Sequence, residues 1–440
     1  MQAQDFQQWC DFISGQLQAS EDYTLNLEAE WSDFIRFNHG KVRQAGQVRQ
    51  ALLGLTLIHE GRQADLKVTL SEDRLLDEQR LRAGIAQLRQ TLPLLPVDPY
   101  LEINRAQWKS HSVQDGRLPP APALVQEICQ QAEGTDWVGI YAGGSMMRGF
   151  ANSAGARGWH EAQSFNLDWS LFHENGQAVK SNYAGSHWDS DAFATKQRQA
   201  AEQLNWLGRP AKALEPGQYR AYLAPAAMDE IIGMLQWGGF SAQAIASKRS
   251  ALQRLYSGDA TLSPLVSLEE RITDSLSPAF GNQGYLRQDL VLVQHGRGAN
   301  TLVSSRSALE YGLEANGADN SESPSALSMA PGTLCQQDVL AALGTGLYIS
   351  NLWYLNYSDL PAARMTGMTR FATFWVENGQ IVAPVDTMRF DDSVFHLLGD
   401  QLEALTLERD MILSTGTYGQ RQTASSQLPG ALLRSLTLTL

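Results

Sequence analysis

Apolar residues Phe6, Trp9, Ile13 and Leu17 fall on one face at helical spacing, so an amphipathic helix is expected to open the chain. From Asp22 the period changes to two. Tyr23, Leu25, Leu27 and Ala29 alternate with polar residues, and Phe34-Ile35-Arg36-Phe37 runs into the turn Asn38-His39-Gly40. Leu53, Leu55 and Leu57 alternate before Glu60-Gly61-Arg62, and residues 64–70 complete what reads as an antiparallel meander. A second helix is expected over about 73–90. Pro93, Pro96 and Pro99 then mark a boundary.

A middle unit starts near Pro119-Pro120, which suits a helix beginning, and continues through Leu124, Ile128 and Cys129. Residues 136–141 read as a strand that ends at Gly143-Gly144. Phe165, Leu167, Trp169 and Leu171 alternate cleanly into the hairpin signal Glu174-Asn175-Gly176. A helix over about 191–207 leads to a second punctuated stretch, from Gly208 to Gly217. Beyond it the chain is richer in strands and turns, with one helix over about 226–235 ended by Gly238-Gly239. The polar run 316–324 reads as a surface loop. These elements predict an α+β chain: an N-terminal mixed α/β lobe with an antiparallel meander and helices, then a strand-rich C-terminal lobe. The punctuation divides it into residues 1–100, 101–212 and 213–440.

Composition narrows the function classes. The chain has 440 residues, 43% of them hydrophobic and 18% charged, enough to build two or three cores and against wholesale disorder. No apolar run reaches a membrane-spanning length, and the first residues lack the basic and apolar regions of a secretory signal. Cys10, Cys129 and Cys335 are scattered, which reads as buried thiols in a reducing compartment; a cytoplasmic location is expected. A net charge of −13 without any basic run argues against a nucleic-acid partner.

Most motifs that carry chemistry are absent. Gly344-Thr345-Gly346 lacks the third glycine of a dinucleotide fingerprint, and neither a P-loop nor a nucleophile elbow occurs. Three His-Glu dipeptides invite comparison with helical zinc-peptidase sites, in which a second histidine one turn later shares the metal. For His59-Glu60, His160-Glu161 and His173-Glu174 the residues four positions after each histidine are Gln63, Ser164 and Gln177, and all three dipeptides lie in strand or turn sequence. Ordinary strand and turn residues explain them better. The acid pairs Glu269-Glu270 and Asp391-Asp392 point to opposite strand faces and read as solvated.

The C-terminal half carries a family resemblance. Gly346-Leu-Tyr-Ile-Ser-Asn351-Leu-Trp-Tyr-Leu-Asn356 is followed by Arg364-Met-Thr-Gly367-Met-Thr-Arg370-Phe, then by Phe374-Trp-Val-Glu-Asn-Gly379-Gln-Ile-Val and Pro384. This order resembles the TldD/PmbA peptidase family. The stretch from Asn282-Gln-Gly284 to Leu302, with Arg306, Ala308 and Gly312, is similar to the family's preceding segment. Phe150-Ala-Asn152-Ser-Ala-Gly155 and Asn38-His-Gly40-Lys-Val fit as well, so the likeness runs along nearly the whole chain.

The resemblance implies an α+β fold whose lobes enclose a peptide-binding cavity. Active members of that family are zinc peptidases with a His-Glu-x-x-x-His helix and a cysteine ligand near the C-terminus. By order and spacing the helix corresponds to Pro225-Ala-Ala-Met-Asp-Glu230 and the cysteine segment to Ser414-Thr-Gly-Thr417, so Ala226, Glu230 and Thr415 stand at degenerate metal-site positions. Asp229 and Glu230 together would make a poor zinc site without imidazoles. No catalytic residue, metal or other cofactor is expected. This departure matches the PmbA (TldE) branch, implying a non-catalytic subunit that binds or presents peptides to a metal-bearing TldD-like partner, or that pairs with itself. The family's older label as a gyrase modulator would suggest DNA contact, which the acidic composition does not support. Tyr348, Asn351, Trp353, Tyr354 and Asn356 would suit an extended-peptide groove; the alternative reading places these aromatics in a core or dimer interface, with the asparagines as turn formers. A hydrolase with its own unrecognised site remains the other functional class.

Overall fold

The computed structural model describes residues 1–417 and 419–439. The expected first helix is α1, Ala3–Ser14, which buries Phe6, Trp9, Cys10 and Ile13. The meander is β1 (Asp22–Asn38), β2 (Lys41–His59) and β3 (Arg62–Thr69), and α2 (Arg74–Thr91) follows with Asp73 as its N-cap. Next come β4 (Lys109–Gln114), α3 (Ala121–Gln131), β5 (Asp136–Asn152), β6 (Arg157–Phe172), β7 (Ala178–Gly185) and α4 (Ser190–Leu207). These seven strands form one sheet in the order β3-β2-β1-β5-β6-β4, with β7 also paired to β6. The meander and the middle unit therefore share a sheet through β1 and β5, which pair antiparallel from Thr24–Asn152 to Phe37–Gly139.

One strand boundary departs from expectation. Gly143-Gly144 does not end β5; the strand continues to Asn152. Here glycine serves close approach: a Cβ on Gly144 would lie 2.1 Å from the Trp31 carbonyl oxygen, and one on Gly143 would meet the Tyr141 ring.

The C-terminal lobe holds β8 (Gly217–Leu223), α5 (Pro225–Leu235), β9 (Leu268–Glu270), β10 (Leu290–Gln294), β11 (Arg297–Gly298) and β12 (Ala326–Met329). After these follow β13 (Gly346–Asp359), β14 (Arg364–Glu377), β15 (Gln380–Pro384), β16 (Arg389–Ser393), β17 (Leu402–Leu413) and β18 (Ser425–Leu438). Their sheet runs β11-β10-β9-β12-β18-β16-β14-β13-β8, with β15 on β14 and β17 on β18. Because β8 also pairs with β18, the path from β18 through β16, β14 and β13 returns on itself. The mixed α+β architecture is thus a mostly antiparallel N-terminal lobe with helices, in which β4 joins β6 in parallel, and a strand-rich C-terminal lobe.

Two polar readings are corrected. Glu270 and Asp392 are buried, not solvated: Arg287 pairs with Glu270 at 2.5 Å, and Asp392 accepts from Thr437 N at 3.0 Å and lies 2.8 Å from His396 Nδ1. Alternation assigned opposite faces correctly, but both faces of this sheet are covered in places. The run 316–324 is not a surface loop throughout. Ala318 and Glu322 are buried, and Glu322 accepts from Ser241, Gln243 and Ser304. It is a polar plug that satisfies buried donors.

Candidate functional site

Helix α5 is split lengthwise by its sequence. Ala227, Met228, Ile231, Ile232 and Leu235 are buried in the C-terminal core, where the helix packs against β13 and β18. Ala226, Asp229, Glu230 and Gly233, at the same helical spacing but on the other face, line a cavity of about 340 Å³. Pro225 begins the helix with a preset φ, and the Ala224 N–H ahead of it donates to the Ile349 carbonyl at 3.0 Å. That bond holds the start of α5 beside β13, and Asn351, two residues further along β13, also reaches the cavity.

The remaining walls come from both lobes. β6 and β7 supply Asp168, Lys180, Ser181 and Asn182, while the ends of β17 and β18 and the segment between them supply Leu413, Ser414, Thr415, Ser425 and Ser426. Ala226, Glu230 and Thr415 therefore line one cavity, together with Asn351. The other aromatic and amide candidates lie elsewhere. Tyr348 is packed inside the protein against Tyr222 and Phe374, with ring centroids at 5.4 and 6.2 Å, and Gln203 Nε2 reaches its hydroxyl at 3.4 Å. Burial pushes its hydroxyl pKa up to about 12. Trp353, Tyr354 and Asn356 stand on the exposed half of the β13–β14 hairpin, where the register is irregular and Tyr354 has φ +60°.

The electrostatics of the cavity are acidic. Lys180 Nζ lies 3.2 Å from Asp168, yet burial still holds the Asp168 carboxyl above its ordinary range. Burial likewise raises Asp229, opposed by a hydrogen bond with Ser426. Glu230 reaches solvent through the cavity mouth, but desolvation by the walls raises its carboxyl, with the adjacent Asp229 charge adding and Lys180 opposing. Sequence reading did not identify Asp168 or Lys180. Asp168 sits on the polar side of the Phe165–Leu171 alternation, and only the docking of the other lobe turns that side into a cavity wall.

Zinc, the metal implied by the resemblance, is held in tetrahedral array by imidazole or thiolate donors, with carboxylates only as companions to them. The cavity presents carboxylates, amides and hydroxyls, and Ala226 has no donor atom at all. Among the described residues no group of three or more histidine, cysteine or acidic side chains is arranged to hold a metal ion. The residues present do not fit zinc.

A second arrangement locks the lobes beside the cavity. Arg421, in the connection from β17 to β18, is buried against the N-terminal sheet. Its guanidinium donates to Ser164, Ser32 Oγ and the Gly144 carbonyl, and its backbone N–H donates to Glu30. Burial lowers its pKa to about 10. Gln420 bonds Glu28, and Gln50 donates both to Glu30 and to the Gly419 carbonyl.

Residues 216–439 match the family described as the PmbA/TldA metallopeptidase C-terminal domain. No curated protein matches the chain. Among solved structures, TldE from Thermococcus kodakarensis superposes with a TM-score of 0.78 at 13% identity, covering 99% of this chain and 100% of that one. A protein described as a candidate modulator of a DNA gyrase, from Thermotoga maritima, gives a TM-score of 0.76 at 13% identity, with 99% and 100% covered. A similarly described protein from Bacteroides thetaiotaomicron gives 0.77 at 15% identity, with 99% and 98% covered. At these identities the superpositions establish the fold. No helix among the described residues is long and apolar enough to cross a membrane. The family match spans half the chain and coincides with the C-terminal lobe that carries α5 and its cavity, so the chain belongs to the TldD/PmbA family.

Proposed function

We propose that this chain is a metal-free, PmbA-like subunit that binds peptides in the cavity beside α5 and acts in the cytoplasm with a metal-bearing TldD-like partner. The observation that carries the reading is the convergence of Ala226, Glu230 and Thr415 on one cavity while none of them offers an imidazole or a thiolate. Without a metal, peptide hydrolysis loses both its water activator and its carbonyl polariser, whereas a polar cavity still suits binding. A family interface would be alike on both partners, so exchange of one subunit of a two-fold dimer for a metal-bearing relative would preserve its contacts. The net charge of −13 favours peptide over nucleic acid as the partner, whatever the gyrase-modulator description of two structural relatives suggests for those proteins.

The test is co-expression with a family member that retains the His-Glu-x-x-x-His motif, followed by size exclusion and a cleavage assay. Co-elution and cleavage dependent on both chains are expected. Separate peaks, with cleavage unchanged when this chain is added, would remove the proposal. A second reading, hydrolysis by the chain's own groups, draws on the raised carboxyls of Asp229 and Glu230, a state suited to a general acid. Peptide cleavage by the isolated chain that is lost in Asp229→Asn would favour it.

A further inference from the structure

The cavity holds more negative charge than its own cation neutralises. Of its three carboxylates, Asp168 is paired with Lys180. Asp229 has the Ser426 hydroxyl, and neither Asp229 nor Glu230 forms an ion pair with a cationic side chain among the described residues. A solvated acidic face would need no explanation. These two side chains, however, both face the cavity between the lobes: Asp229 is half-buried in its wall, where burial disfavours the charged form, and Glu230 stands exposed at its mouth.

An independent feature on the neighbouring wall, strand β13, points to a ligand. Asn351 is 9% exposed and lines the same cavity. Its Oδ1 accepts from Ser350 Oγ at 2.8 Å, but its Nδ2 donates to no protein acceptor among the described residues. The residue is buried while its Nδ2 stays open on the cavity side, so this free donor can meet a ligand carbonyl oxygen.

We propose that the cavity recognises a peptide through a primary ammonium group seated between Asp229 and Glu230, with a carbonyl oxygen of the same peptide accepting from Asn351 Nδ2. This rests on the peptide-binding reading above and adds the chemical class of the recognised group. An ammonium brings three donors to carboxylate acceptors. It comes from either the peptide N-terminus or a lysine side chain.

The experiment is calorimetric titration of the full-length chain with one short unstructured peptide containing a single lysine, prepared in four forms: free, N-terminally acetylated, lysine-acetylated, and acetylated at both amines. The doubly acetylated form is expected to bind about tenfold or more weakly than the free form, and whichever single acetylation reproduces that loss identifies the amine. In the Asp229→Asn/Glu230→Gln variant, with its fold checked by circular dichroism, all four forms should bind alike. Asn351→Ala should weaken every form by a similar factor. Equal binding of all four forms to the parent chain overturns ammonium recognition and leaves the peptide-binding reading standing. Binding of none of them overturns both.

Discussion

Arg421 reaches Ser164 across the boundary between the two lobes: one guanidinium nitrogen donates to the Ser164 hydroxyl at 2.7 Å and to its carbonyl at 2.8 Å. Both residues are buried, and Glu30, also buried, accepts from the Arg421 backbone. Arg421→Met would strand the Ser164 and Gly144 carbonyls at the interface and remove the cation nearest the buried Glu30, although the backbone bond to Glu30 stays. It is expected to cost about 3 kcal/mol in urea unfolding. Arg421→Lys should recover only part of that, because an ammonium cannot reproduce the planar fork.

The buried Arg287–Glu270 pair predicts a non-additive result. Glu270 also accepts from Ser325 N at 2.8 Å. Arg287→Met should destabilise by about 3–5 kcal/mol, since a buried carboxylate is left uncompensated. Adding Glu270→Gln should return part of this loss, measured as a positive coupling in a double-mutant cycle by chemical denaturation.

Asp229 gives stability a pH dependence of known sign. Its carboxyl is raised in the folded chain, so it keeps a proton that the unfolded chain has already released. Its unfavourable contribution is absent below the ordinary carboxylate range and appears as pH rises through the window between the unfolded and folded values. Asp229→Asn should therefore melt higher than the parent at neutral pH, and the difference should vanish toward about pH 3. An unchanged difference across that range would contradict the burial of this carboxylate.

Gly233 leaves room where α5 faces the cavity: a Cβ placed there meets nothing within 4 Å. Gly233→Ala should stabilise the chain by about 0.5–1 kcal/mol through helix propensity. Gly233→Leu should fill the cavity and abolish peptide binding by titration while leaving the melting temperature no lower.

Tyr348 separates a packing role from a binding role. Its hydroxyl has one long hydrogen bond, so Tyr348→Phe should cost about 1 kcal/mol or less and leave peptide affinity unchanged. Tyr348→Ala should cost about 3–5 kcal/mol, because its ring packs against Tyr222 and Phe374.

Much of the fold was legible because one-sided burial writes its period into the chain. The faces of α1 and of β1 through β3 follow directly from the alternation that predicts them. The position of α5 was legible as well, and with it two walls of the cavity. What local pattern could not convey was what covers a polar face. Asp168 and Lys180 carried no signal of their own, Glu270 and Asp392 read as solvated acids, and Glu322 lay in a run that read as a surface loop. Each is enclosed by residues distant in the chain: Lys180 beside α5, Glu322 against Ser241, Glu270 against Arg287. Gly143 and Gly144 misled for a related reason. Their lack of side chains accommodates the Tyr141 ring and the Trp31 carbonyl, not a turn.

The placement of β18 has a bearing on how the chain acquires its structure. Strands β1 to β7 pair among themselves, so the N-terminal sheet has all its members once residue 185 has been made. The other sheet is different: β18 pairs with β8, β12, β16 and β17, and β8 precedes it by about 200 residues in the chain. During synthesis β8 and the apolar face of α5 must wait for Ser425–Leu438 before their core can close. The nascent C-terminal lobe thus passes through a long interval with open strand edges, a stage at which chaperone capture or misassociation competes with folding.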